Sequence, residues 1–324
     1  MSFSGRKASL LALAFVISLL LIDRAVLYAG NILAPTSDWK QGVLSSLSNI
    51  GDQDYYLLGT CQTAIEFDSK LIGDRTGSKV FNAGVFATGL AYIDFTLDVL
   101  LSHHRKGTVV FVLNEGMLEE SNTIVPELKI YLRLSYLMDA AHEREMRVRH
   151  ALSPFNLRSG FVDFRGQGYD LLKAAMKIKS GTLRSPSLDG YIPRPTGRNI
   201  MPDYSEEYLA ATCRRQPFHP SAVALTLVEG FLERARAGGL RALIVIAPTR
   251  RFRTMDELNL RLDGTLRSLA AKHGAGFLSY LDNEGSMARN GSIWCTDGLL
   301  DRLGSAAFSG MFADDLKKLA QETP

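Results

Sequence analysis

Cysteine is scarce in this 324-residue chain: Cys61, Cys213 and Cys295 are the whole complement, too few and odd in number for a disulfide scaffold. An excess of one charge sign is missing too. With 37 basic and 34 acidic residues the formal net charge is +3, and no long block of like charge occurs, so nucleic acid is not the expected partner. No phosphate-loop pattern, zinc spacing or metalloprotease helix is found, and the glycines of GDRTGSKVFNAG precede an apolar run instead of following one. Neither a metal nor another cofactor is expected. No internal repeat or low-complexity segment is apparent. The 46% apolar and 22% charged content excludes a disordered or fibrous chain and suffices for one sizeable core.

One long hydrophobic run is present, and it lies at the start. Arg6 and Lys7 precede ASLLALAFVISLLLI, and counting on past Asp23 and Arg24 to Tyr28 gives roughly 20 residues, about the span of a bilayer core. No clean small-x-small site closes the run, so residues 1–30 read best as an uncleaved signal anchor; a cleaved signal peptide and a buried core helix are the alternatives. The basic end would stay in the cytoplasm and the bulk of the chain would be exported, as in a single-pass protein of a bacterial inner membrane with its domain in the periplasm or outside. Residues 31–54 are polar, with Pro35, Gly42 and Gly51, and read as a tether with one helical turn.

From Tyr55 onward, short apolar runs alternate with amphipathic stretches. YYLLG, SKVFNAG, GTVVFVLNE, LRALIVIAP and GAGFLSYL have the length and two-sided hydrophobicity of parallel strands. Helical candidates fall at about 63–73, 88–105, 220–238, 254–273 and 303–320. Strict alternation of this kind predicts a doubly wound α/β fold, flavodoxin-like, with a parallel five-stranded sheet and a ligand crevice at the carboxyl ends of its strands. Residues 55–324 form the domain. Residues 115–219 interrupt the alternation after a strand end and read as a largely helical insertion, placed to cap the crevice.

Four blocks fall at the strand ends: Gly59-Thr60-Cys61 after the first strand, Asn82-Ala83-Gly84 after the second, Leu113-Asn114-Glu115 after the third, and WCTDGLLDRLGSAAFSGMFADDL around the last helix. In order and spacing the chain resembles the SGNH/GDSL hydrolase superfamily over about 55–320, outside the insertion. That resemblance implies a nucleophile at Cys61, oxyanion donors at Gly84 and Asn114, and Asp297 as the aspartate of the last block. It also implies ester chemistry, on acyl groups of cell-envelope or extracellular polysaccharide, as an esterase or acyltransferase. The layout has a physical rationale of its own. A nucleophile on a strand-to-helix turn meets the helix amino terminus, and each donor to a developing oxyanion contributes about 3–4 kcal/mol.

The chain departs from that pattern at the two positions that matter most. Cys61 stands where the serine would be, and Leu300 stands where the histidine would be; Val112 also replaces a glycine. The helix amino terminus is expected to lower the Cys61 pKa toward thiolate. Cys61 also reads as an inert buried residue or as half of a disulfide with Cys295. Thr60 and Thr63 lack a visible base. Asp297 reads equally as a site residue and as a helix cap. Gly84 and Asn114 also read as plain strand-end and turn residues. His142, His150 and His219 are the histidines with a route to the crevice, although capping or surface roles suit them as well. Phe155, Arg158, Phe161, Phe164, Arg165, Tyr169, Tyr191 and Arg194 of the insertion suit a sugar or simple packing. Three functions follow: an acyl-ester enzyme, a non-catalytic protein that binds glycan or a membrane-bound partner of polysaccharide biosynthesis, or a redox-sensitive module based on Cys61 and Cys295.

Overall fold

The computed structural model describes residues 9–25, 39–85, 89–118, 137–149, 220–248, 256–281, 294–296 and 299–322. The chain divides into two compact units, Met1–Ser45 with Arg147–Pro186, and Ser46–Met146 with Ser187–Pro324. In the first, residues 9–25 form helix α1, and its large apolar side chains from Leu10 to Ile22 are 41% to 72% exposed. Among the described residues no helix is long and apolar enough to cross a membrane. The two ends of the expected anchor, 1–8 and 26–30, lie outside the described residues.

The tether expected at 31–54 contains more structure than one turn. Trp39–Asn49 is an eleven-residue helix, α2. Val43, Leu44 and Leu47 recur at helical spacing and are fully buried, so this segment has an apolar stripe that its polar neighbours obscure in the sequence.

The second unit holds a five-stranded, all-parallel sheet. In chain order its elements are β1 Tyr55–Leu58, α3 Cys61–Glu66, α4 Ser69–Thr76, β2 Val80–Asn82, α5 Leu90–His103, β3 Thr108–Leu113 and α6 Glu115–Leu118. After α7, Ala140–Arg149, come α8 Ala222–Ala237, β4 Arg241–Ile246, α9 Asp256–Lys272 and β5 Gly276–Ser279. A two-stranded antiparallel ladder, β6 Trp294–Thr296 and β7 Leu299–Leu300, precedes the last helix, α10 Arg302–Glu322. The strand order is β2-β1-β3-β4-β5. The expected α/β fold and its parallel sheet are therefore present, and the ladder before α10 was not anticipated. Of the 115–219 insertion, only residues 115–118 and 137–149 are described.

Alternate strand residues supply the two faces. Leu57, Val110, Val112, Leu243 and Val245 pack with Phe67, Phe308 and Phe312, whose rings meet edge-on at centroid distances near 5 Å for the Phe67 pairs. On the other face Phe111 stacks on Phe231 of α8 with centroids 5.8 Å apart.

Helices α5 and α8 are joined by charge. The Arg234 guanidinium donates to Asp94 and Asp98, whose side chains are 1% and 3% exposed. Asp94 and Asp98 lie one turn apart on α5, so a single planar fork spans both. Removing the cation leaves two carboxylates without water. Arg234→Ala should therefore lower stability by about 3–5 kcal/mol, read from the midpoint of chemical denaturation. Lys70→Ala, which breaks the exposed Lys70–Asp74 pair of α4, should leave that midpoint unchanged.

Candidate functional site

The turn between β1 and α3 lies at the carboxyl edge of the sheet. A side chain at Gly59 would strike the Thr63 hydroxyl and approach the Val112 carbonyl to 2.9 Å, so glycine permits the turn to close against β3. Cys61 is the first residue of α3; its thiol is free and half-buried. No described partner joins it in a disulfide, and the side chain of Cys295 lies outside what is described.

Asn114 is brought to this turn. Its side-chain Nδ2 donates to Gln62 Oε1 at 2.8 Å, and its Oδ1 accepts from Met117 N at 3.1 Å. Thr60 Oγ1 lies at 3.5 Å from the same Nδ2. The amide expected to stabilise an oxyanion thus serves the neighbour of Cys61. Gly84 is also engaged. Its N–H donates to Asn82 Oδ1 at 2.9 Å, while Asn82 Nδ2 donates to Thr63 O at 2.7 Å and Phe67 O at 2.8 Å. A Cβ on Gly84 would lie 2.6 Å from Thr63 Cβ and closer still to Ala64 N, so the glycine allows β2 to approach α3. In this arrangement Asn114 and Gly84 both give their N–H groups to side-chain carbonyls of the protein itself.

The Cys61 pKa shifts against the direction expected from the helix amino terminus. Burial pushes the Cys61 thiol above its ordinary pKa, and hydrogen bonding from Thr60 and the Gln62 amide opposes the rise without cancelling it.

Leu300 stands where the resemblance implied an imidazole. Its side chain is completely buried in the apolar cluster with Leu57, Phe67 and Phe308, and its backbone N–H donates to Glu66 Oε1 at 3.4 Å. Glu66 is also fully buried, and its Oε2 has no hydrogen-bond partner among the described residues. Loss of water drives its pKa well above the usual glutamate value, against the smaller pull of the Leu300 N–H. Sequence reasoning missed Glu66, Asn82 and Gln62 as members of this site. The one available signal for Glu66 was a carboxylate inside the apolar stretch TAIEF.

No described histidine serves Cys61. The imidazoles of His103, His104, His142 and His273 bond Leu137 O, Leu47 O, Asp139 and Glu229 respectively. His150, His219 and Asp297 lie outside the described residues. The carboxylate that caps α10 is Asp301, which accepts from Gly304 N at 2.9 Å.

No family model matches the chain, and no curated protein matches it.

Elsewhere among the described residues, Glu229, Glu233 and His273 place their donor atoms within 4.8 Å of one another. The Lys272 ammonium already lies against the Glu229 carboxylate and holds its pKa down.

The raised Glu66 pKa has a definite consequence for stability. The folded protein keeps this proton at pH values where the unfolded chain has released it. Stability is therefore full below the ordinary glutamate value of 4.5 and declines as pH rises toward the folded-state value. Glu66→Gln should flatten that decline, so that the variant gains on the parent protein between pH 4.5 and 7. Denaturation curves at several pH values check this, and parallel profiles for the two proteins would refute it.

Proposed function

We propose that this chain is a membrane-anchored relative of the SGNH hydrolases that no longer catalyses. In this reading it binds an envelope glycan, or a membrane-bound partner of polysaccharide biosynthesis, through the former crevice and the 115–219 insertion. The observation that carries the reading is the state of the Cys61 turn. Burial raises the pKa of the thiol, the Asn114 amide is given to Gln62, and the position expected for a general base holds a buried leucine. Nucleophilic attack needs a thiolate and later steps need a proton donor. None of the described side chains bonded around this turn is an imidazole. The retained shape of the turn and sheet edge suits recognition of a ligand in a crevice at the strand ends.

A second reading, cleavage of acyl esters or thioesters with Cys61 as nucleophile, draws on the free, half-exposed thiol beside Asn114. Activity assays separate the two. The full chain should give no turnover of an acetyl ester or an acetyl thioester above buffer, and Cys61→Ala should match it. Glycan arrays and co-purification from membranes should then find a ligand or partner that survives Cys61→Ala and is lost in Phe161→Ala/Tyr169→Ala. Turnover that disappears in Cys61→Ala would establish the enzyme instead.

A further inference from the structure

A cavity lies away from the Cys61 turn, at the amino ends of the strands. Its volume is about 420 Å³, within the range of about 300–1,000 Å³ that small-molecule sites occupy. Leu232 of α8, Leu243 of β4, and Leu316 and Leu319 of α10 supply apolar wall. Two guanidinium groups, Arg236 and Arg241, stand among the lining residues, and no aspartate or glutamate is among them.

The arginines have no other evident task. Both are exposed, and neither forms an ion pair or a hydrogen bond with a described residue. Arg236 occupies the last turn of α8, where a basic side chain often offsets the free carbonyls. Here those carbonyls are already satisfied: Gly238 N, Leu240 N and Gly239 N donate to Arg234 O, Ala235 O and Arg236 O at 2.9, 2.9 and 3.0 Å. Arg241 continues a row of the sheet in which Tyr55 pairs with Thr108 and Thr108 with Arg241. Its charge acts on the Tyr55 phenol, whose pKa burial nonetheless raises, so Tyr55 stays a neutral hydrogen-bond donor beside the cations.

We infer that this cavity is a second binding site, for a single-chain aliphatic carboxylate whose headgroup Arg236 and Arg241 hold and whose chain lies against the leucines. A guanidinium matches a carboxylate in shape and charge. The leucine walls favour a flexible alkyl chain over a planar ring, and two cations that no described residue pairs give a neutral chain no comparable hold. The site is independent of the crevice, so its fate does not depend on the function proposed for the Cys61 turn.

Dodecanoate below its micellar concentration is the probe, with phenylglyoxal labelling of arginines read residue by residue on the full chain. Such labelling reports on this cavity alone, whatever the exposed apolar side chains of α1 bind. With ligand at ten times its Kd, only about a tenth of sites stay free. Labelling of Arg236 and Arg241 should fall about tenfold, while exposed Arg302 on α10 labels as before. Dodecanol should protect neither arginine. Arg236→Gln/Arg241→Gln should weaken dodecanoate binding to the folded protein at least about tenfold by titration calorimetry. Unchanged labelling with dodecanoate would overturn the site, as would equal protection by dodecanol. Protection by phosphatidylglycerol vesicles without protection by dodecanoate would overturn it too, because the arginines would then read a lipid surface.

Discussion

The carbonyl groups at the carboxyl end of α3 are the constraint on which this site depends. A helix leaves its last carbonyls without partners inside the helix, and five of the six residues of α3 are buried, so water cannot serve them. Side chains from two distant elements do so. Asn82 at the end of β2 takes Thr63 O and Phe67 O. From α10, Ser305 donates to Ile65 O at 2.8 Å and Ser309 to Glu66 O at 2.9 Å. Ser309 Oγ also accepts from Asp68 N, which ties α3 to the start of α4. A helix of under two turns is thereby held between the sheet and the last helix, and the position of Cys61 follows from it.

The same constraint decides the electrostatics. Fixing α3 this deeply takes Glu66 wholly out of water and much of the Cys61 thiol with it. Both groups then favour their neutral forms. The two side chains near the turn best able to carry negative charge are therefore poorly suited to do so, and the surrounding amides are turned toward one another. A turn with these properties presents neutral hydrogen-bonding groups rather than a developed charge.

The sheet was legible from sequence because each strand is a compact run of apolar residues bounded by Gly, Asn or Pro. Its five runs coincide with β1 to β5 to within a few residues. The first helical candidate, at about 63–73, is in fact α3 and α4, because Phe67 leaves the helical conformation and Asp68 starts a new helix by accepting from Leu71 N. Periodicity does not register so brief a break. The ladder of β6 and β7 escaped notice because strands of three and two residues are too short for any pattern. Within the site, the meeting of Asn114 with the Cys61 turn follows from strand order and was readable. The partner of each amide was not, because Gln62 and Asn82 look like ordinary polar residues until the fold shows what their side chains reach.

On the proposed kinship, Leu300 means more than the absence of a base. Its side chain is packed among Leu57, Phe67, Phe308 and Phe312, so this position belongs to the core that joins β1 to α10. An imidazole introduced there would have to displace close-packed hydrocarbon or leave a polar ring in it. On the proposed kinship the change acts as a ratchet: once the position became part of the interior, a single reverse substitution would be opposed by folding itself, before any question of chemistry arose.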